Sequence, residues 1–328
     1  MSFDSCYRDK VYRKAGEKYL LSVIAGSDQE IGLTLPPNCN GIGRIRHFNR
    51  KFYDDWTSDP LPMDPACVAL NLPKTNVMKS QVFQIASCNL NCWYCFVPDV
   101  LKQANVNKSK WLTTDEMIQL YIKESYQSKV IVLSGGNPDL VPEWVVNMMQ
   151  SIERFNLNEM VYLWSDDTVT SERAFEFLSS DQIGCFTNYK NYGKVACFKG
   201  YDDCSFEFNT AMPKKYFNKQ FDVFKRYLDL GIDMYGYINF TSLDDNASRV
   251  AEKIAKIMDR FQAIHKMLPL RIVPQKIFVF PTVVSKITSK YESSLVNQHL
   301  ALYMWNKELC NRFTDEQRNL NIAHIKTN

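Results

Sequence analysis

The chain has 328 residues, a formal net charge of +3, and a composition that is 45% hydrophobic and 23% charged. That balance is globular, with enough length for one large core and an appendage, and too little charge to argue for a nucleic-acid or membrane partner. No apolar run reaches membrane-spanning length, and the opening MSFDSCYRDKVYRK lacks the apolar stretch of a secretory signal, so a cytoplasmic location is expected.

Residues 1–80 read as an irregular N-terminal extension with turn-forming clusters at Leu35-Pro36-Pro37-Asn38 and Ser58-Asp59-Pro60-Leu61-Pro62. From Gln81 the texture changes. Val82 to Ala86 reads as a strand running into a cysteine cluster. Thr113 and Glu116 form a capping-box pattern that starts a helix carrying Met117, Leu120 and Tyr121. Val130 to Leu133 is a buried-type strand that stops at Gly135-Gly136. Pro142 sits where a helix begins, and Val145, Met148, Met149 and Ile152 then recur at helical spacing. Met160 to Trp164 and Val195 to Phe198 are two further strands. A helix opened by Pro213 carries Phe217, Phe221, Phe224 and Leu228 on one face and closes at Gly231. Tyr235 to Phe240 is a strand, Val250 to Phe261 a helix, and Ile277 to Phe280 the last predicted strand.

Strands alternating with helices imply parallel βαβ units with right-handed crossovers. Six units make an α/β fold, a partial parallel (β/α)6 TIM-like barrel over residues 81–285, flanked by the extension and by a C-terminal helical segment, 286–328. Reactive groups in such a barrel belong on the loops after the strands. The cysteine cluster and the Gly-Gly turn both fall there.

Seven of the ten cysteines are scattered, while Cys88, Cys92 and Cys95 share one loop with spacing C-x3-C-x2-C. Three thiolates so placed can hold three corners of an iron–sulfur cubane and leave the fourth iron open. The competing readings are a chance spacing and a zinc site, which ordinarily needs a second ligand pair that is missing here. Cys185, Cys197 and Cys204 are too widely spaced to suggest a second cluster, and Cys197 fits a buried strand position. One cluster is expected.

With Tyr94 directly before the third cysteine and Ser134-Gly135-Gly136-Asn137-Pro138 after the second strand, the sequence resembles the radical S-adenosylmethionine (SAM) superfamily. It is loosely similar to the branch of the pyruvate formate-lyase activating enzyme. The resemblance implies a [4Fe–4S] cluster on Cys88, Cys92 and Cys95 that binds SAM and cleaves it reductively. A 5′-deoxyadenosyl radical then takes hydrogen from a substrate. It further implies that Gly135, Gly136, Asn137 and Pro138 cradle the methionine amino group. Asn137 stands where the family usually has Glu, so the turn keeps an acceptor but loses a charge. Tyr94 would lie beside the adenine, or simply pack under the loop. Lys199 would neutralise the SAM carboxylate, or be an ordinary surface lysine. Ser165, with Asp166 and Asp167, would bind ribose hydroxyls or cap a helix, and Asn239 and Thr241 are weaker candidates for the same task. A reductant such as ferredoxin or flavodoxin is the expected partner. The functional readings are activation or modification of a protein or peptide, alteration of a small metabolite or nucleobase in cofactor biosynthesis, and, without catalysis, an electron-transfer or structural metal-binding module.

Overall fold

The protein is described by a computed structural model that covers residues 5–327, with side chains from Tyr7 onward. Ten strands form one sheet: β1 Tyr12–Arg13, β2 Lys18–Ser22, β3 Gly43–Asn49, β4 Val77–Ile85, β5 Ser109–Leu112, β6 Val130–Gly135, β7 Tyr162–Asp167, β8 Tyr192–Phe198, β9 Met234–Asn239 and β10 Ile272–Gln275. Strands β4, β6, β7, β8, β9 and β10 run parallel in that order. The antiparallel β3 lies on the free edge of β4, and β2 joins β4 only at its C-terminal end, through Leu21 and Ile85. The sheet curls without closing, as a six-unit barrel must.

Each crossover carries at least one helix on the outer face. Thr114–Ile122 is started by the predicted capping box: the Thr113 hydroxyl accepts from the Glu116 N–H at 3.2 Å, and the Glu116 carboxylate from the Thr113 N–H at 2.7 Å. Helix Glu143–Arg154 follows Pro142. Helix Lys215–Asp229 buries Phe217, Phe221, Phe224 and Leu228 against the sheet, each worth about 1.5–3 kcal/mol in area removed from water. Helix Ala247–Ile264 buries Val250, Ile254, Ile257, Met258 and Phe261, and the long Ser289–Arg312 packs outside it. Among the described residues no helix is long and apolar enough to cross a membrane.

Three expectations are corrected. The third parallel strand begins two residues later than predicted and runs on through Asp166 and Asp167, which pair with Val195 and Ala196. The last strand is Ile272–Gln275, not Ile277–Phe280. Pro274, which has no N–H, is tolerated there because β10 is an edge strand. The backbone of Ile277 bonds instead to the Gln298 side chain, donating its N–H at 3.0 Å and accepting at 2.9 Å. Third, residues 1–80 are not irregular throughout, since β1, β2 and β3 belong to the main sheet and β4 itself begins at Val77.

The extension also fills the barrel. Met63, Ala66 and Cys67 of helix Met63–Ala69 pack with Val82, Val132, Trp164, Val195, Tyr237 and Val273 on the concave face. Residues after β3 then bridge the open side towards β10. Trp56 Nε1 donates to the Pro274 carbonyl at 2.9 Å, Tyr53 meets Phe278 edge-on at 5.5 Å, and the Tyr237 hydroxyl donates to Asp59 at 2.9 Å.

The convex side holds a buried ionic group under the strand ends. Lys194 contacts Asp139 at 3.0 Å and also Asp167, and all three side chains are at most 2% exposed. Ser165 donates to Asp167, Tyr227 to Asp139, and the Val169 N–H to Asp139. Burial and then the neighbouring Asp139 push the Asp167 pKa up, and Lys194 offsets only part of that. Lys194→Met leaves two carboxylates facing each other without a cation. A stability loss of about 3–5 kcal/mol is expected, measured by urea unfolding at pH 7.5. A loss below about 1 kcal/mol would show that the group is not a keystone of the fold.

Candidate active site

The cysteine loop is pinned from several directions by backbone and amide bonds. The Cys88 N–H donates to the Lys102 carbonyl at 3.2 Å, the Asn91 N–H to Thr210 at 3.0 Å, and the Trp93 indole to Asn209 Oδ1 at 3.1 Å. Asn209 also donates to the carbonyls of Lys199 at 2.8 Å and Thr241 at 3.0 Å, and accepts from the Thr241 hydroxyl. One buried amide thus joins the loop after β4 to the ends of β8 and β9. Sequence reading missed Asn209, because it sits inside helix Asp203–Thr210 with no motif around it. Thr241 belongs to this brace.

On the other flank the loop leans on the glycine turn. Gly135 has φ +93°, and a Cβ on Gly136 would lie 1.8 Å from the Ser87 carbonyl oxygen. The Asn137 N–H donates to that same carbonyl at 2.8 Å. Asn137, expected to face SAM, is fully buried. Its Nδ2 donates to Asn89 Oδ1 at 2.8 Å and its Oδ1 accepts from the Thr168 N–H at 3.3 Å. The side chain therefore ties the cysteine loop to the turn and to the segment after β7. Pro138 begins a short 3-10 turn, Pro138–Leu140, above Lys194.

Three predicted residues meet at the cysteines. Tyr94 is buried, hydrogen-bonds Asn239, and lies beside Cys92. Lys199 Nζ stands 6.0 Å from the Tyr94 ring centroid. Burial pulls its pKa down, but Cys197, Tyr94, Cys92 and Cys95 more than offset this and raise it. Lys199 thus puts a basic group at the strand-end face, beside thiols that a bound cluster would turn into thiolates. Ser165 is not brought there. It is fully buried on the helix-facing side of β7, bonded to Asp167 and, at 2.8 Å, to the Tyr192 hydroxyl. A strand reverses its side chains every residue, so it is Asp166 that faces the interior, held by Trp164 at 2.8 Å, Ser134 at 3.1 Å and Arg46 at 3.3 Å.

The donor set fits an iron–sulfur cubane. Enclosure, with Cys92 next in weight, pushes the Cys88 thiol up to about 12, and burial raises Cys92 as well. The bare Cys88 and Cys92 thiols therefore stay neutral, and a bound cationic centre would make them thiolates. The Leu90 N–H already points at Cys88 Sγ at 3.4 Å. On the solvent side Lys102, 5% exposed and 3.0 Å from Asp99, keeps its charge: burial opposes it, yet Cys95, Asp99 and Cys88 together push it up to about 12. The three sulfurs do not all lie within 4.8 Å of one another. Tetrahedral zinc would need them roughly 3.8 Å apart, whereas a cubane spreads them over different irons. SAM also finds a match in Asn239, whose fully buried Oδ1 has no partner among the described residues and lies at the strand-end face. A cleft of about 470 Å³ lined by Lys10, Cys88, Asn91 and Lys102 reaches the loop from outside.

Because a Cβ on Gly136 would overlap backbone atoms of Ser87 and Ile85, Gly136→Ala must displace the residue that precedes Cys88. A several-fold fall in iron and sulfide bound after anaerobic reconstitution is expected, with an unchanged far-ultraviolet circular dichroism spectrum. Full iron loading would show that the loop adapts, and would leave the glycine as an ordinary turn residue.

Residues 84–254 match the family model described as Radical SAM superfamily. Among solved structures the chain is similar to Streptococcus suis SuiB bound to precursor peptide SuiA (13% identity, TM-score 0.38, covering 55% of this chain and 36% of that one). It is also similar to anSMEcpe with bound AdoMet and Cp18Cys peptide (15% identity, TM-score 0.47, 71% and 58%) and to QueE from Escherichia coli (8% identity, TM-score 0.32, 60% and 85%). The chain spans little more than a third of the length of SuiB. No curated protein sequence matches it. With the matched segment covering half of the chain and running from β4 through the cysteine loop and the glycine turn into helix Ala247–Ile264, this protein belongs to the radical SAM superfamily, whose members are enzymes that use a [4Fe–4S] cluster and SAM.

Proposed function

We propose that this chain reductively cleaves SAM at Cys88, Cys92 and Cys95 and removes hydrogen from a small molecule held in the barrel interior. The observation that carries the reading is the convergence of the three thiols, Tyr94, Lys199 and the unpartnered Asn239 Oδ1 at the C-terminal ends of one parallel sheet. The bound cluster supplies the electron that breaks the C–S bond of SAM. The chain does the rest. Cys88, Cys92 and Cys95 hold the cluster, and the bond from the Leu90 N–H steadies Cys88. Lys199 offers the SAM carboxylate a charge partner beside Tyr94. Asn239 Oδ1 accepts from a nucleoside donor. Gly135 and Gly136 bring backbone close to the methionine end, with Asn137 keeping the turn and the loop in register. An external reductant of the ferredoxin or flavodoxin type reaches the loop from the side of the Lys102 cleft.

A small substrate is favoured over a folded protein because the interior is enclosed. Helix Met63–Ala69 plugs its floor, and Trp56, Tyr53 and Asp59 close its open side. Water is thereby kept from the reacting atoms.

Anaerobically reconstituted, reduced protein is expected to form 5′-deoxyadenosine from SAM, followed by chromatography. Cys88→Ala, Cys92→Ala and Cys95→Ala should each abolish it. Iron near four per chain should vanish in the triple Ala variant. Full cleavage in any single variant would overturn the assignment, and iron and sulfide retained by the triple variant would reveal a second cluster. Asn239→Leu should weaken SAM binding by about 1–2 kcal/mol, roughly tenfold, by calorimetry. An unchanged affinity would return Asn239 to a purely structural part.

A further inference from the structure

Arg44 sits on β3 opposite Val82, and Arg46 opposite Ser80, so both side chains share the concave face with Val82 and Gln84. Arg46 has a carboxylate, Asp166 at 3.3 Å. Arg44 has none: among the described residues no acidic group pairs with it, although it is only 5% exposed. A guanidinium carries five N–H donors in a planar fork. Among the described residues only Nε has an acceptor, Gln84 Oε1 at 3.0 Å, and that oxygen is already shared with Gln29 Nε2 at 2.9 Å. The guanidinium carbon lies over the Phe96 ring, 5.0 Å from its centroid, one residue beyond Cys95. A cation–π contact of this kind uses no N–H group, so the terminal donors stay available. Burial, with Arg46 next, drives the pKa down to about 9, and Asp166 offsets only part of that. The group is still charged at pH 7, and among the described residues no carboxylate is in contact with it.

Nothing about packing requires this. Gln29 and Gln84 satisfy each other through two amide bonds, and a methionine would fill the same volume against Phe96. An enclosed guanidinium over an aromatic ring, with no carboxylate in contact among the described residues, is the arrangement of an oxyanion receptor. The wall beside it is aromatic, with Phe96 5.4 Å from Phe280, and Phe280 4.2 Å from Phe278. The Phe96 carbonyl is fastened by Thr282 Oγ1 at 2.9 Å, which keeps this wall and the cysteine loop together.

We propose that Arg44 is the anchor for an oxyanion, a carboxylate or phosphate, carried by the substrate. The inference rests on the reading above that the substrate occupies the interior, and it adds the chemical class of that substrate. The terminal N–H pair takes the anion in a two-point contact. Phe96 and its aromatic neighbours receive the less polar body. The cofactor carboxylate is an alternative source of the same chemistry, and Lys199 is the residue that already faces it.

The test uses the reconstituted full chain with SAM bound, titrated calorimetrically with inorganic phosphate and with acetate. The parent should bind at least one of them saturably. Arg44→Met should weaken that binding tenfold or more, while Arg44→Lys, which keeps the charge and loses the fork, should fall between. SAM affinity should stay the same in all three. Should Arg44→Met fail to fold, judged by thermal melting, Arg44→Lys and Arg44→Gln carry the comparison. Saturable binding that is equal in parent and variants, or no binding of either anion to the parent, overturns the proposal. So does a tenfold loss of SAM affinity in Arg44→Met, which would assign the guanidinium to the cofactor. Formation of 5′-deoxyadenosine by the parent, measured without added anion, reports separately on the SAM-cleavage reading, so the two can fail independently.

Discussion

The contact between the glycine turn and the Ser87 carbonyl is the constraint on which the site depends. A Cβ at Gly136 has no space, so two backbone segments lie closer than any side chain permits. That closeness lets the Asn137 N–H reach the same carbonyl and lets the Asn137 amide span from Asn89 to Thr168. The loop that carries the three cysteines is thereby tied to the second and third parallel strands. Asn209 does the same towards the fourth and fifth. A loop of eight residues acquires a fixed place because both of its flanks are tied down.

Charge is the second organising influence. Lys102 and Lys199 flank the cysteines on opposite sides, and Arg44 and Arg46 face the interior below them. A cluster held by three thiolates brings negative charge into a poorly solvated region, where each of these cations has more effect than at a surface. The convex side of the same strand ends is arranged in the opposite sense, with two carboxylates around Lys194. The two networks are separated by the sheet alone. Alternation along β7 places Asp166 in one and Asp167 in the other.

The N-terminal extension turns an open sheet into an enclosed site. Strand β3 covers the edge of β4 that an open barrel would expose, and the same segment delivers Arg44 and Arg46 to the interior. Trp56 and Tyr53 then cross to β10 and its following segment, and Asp59 to Tyr237 on β9. In this chain the interior is lined jointly by the barrel strands and by the N-terminal extension.

Local chemistry decided how much was legible beforehand. The C-x3-C-x2-C spacing, the Gly-Gly turn, the Thr113–Glu116 cap and the phenylalanine stripe of Lys215–Asp229 all act over a few residues, so their meaning survives without the fold. From these the sequence by itself determined the parallel α/β barrel, the cluster loop and the family. It did not determine which face a strand-end residue would occupy. Ser165 and Asp166 are neighbours in the chain, and only the register of β7 against β8 sends one to the helices and the other to the interior. Nor did it reveal that Ile272–Gln275 would be the edge strand, since Pro274 is acceptable only where no neighbour needs its N–H. Asn209, Lys102 and Arg44 carry no motif at all. Their significance lies in what burial leaves them bonded to, or unbonded, and burial is a property of contacts between distant segments that tertiary structure alone decides.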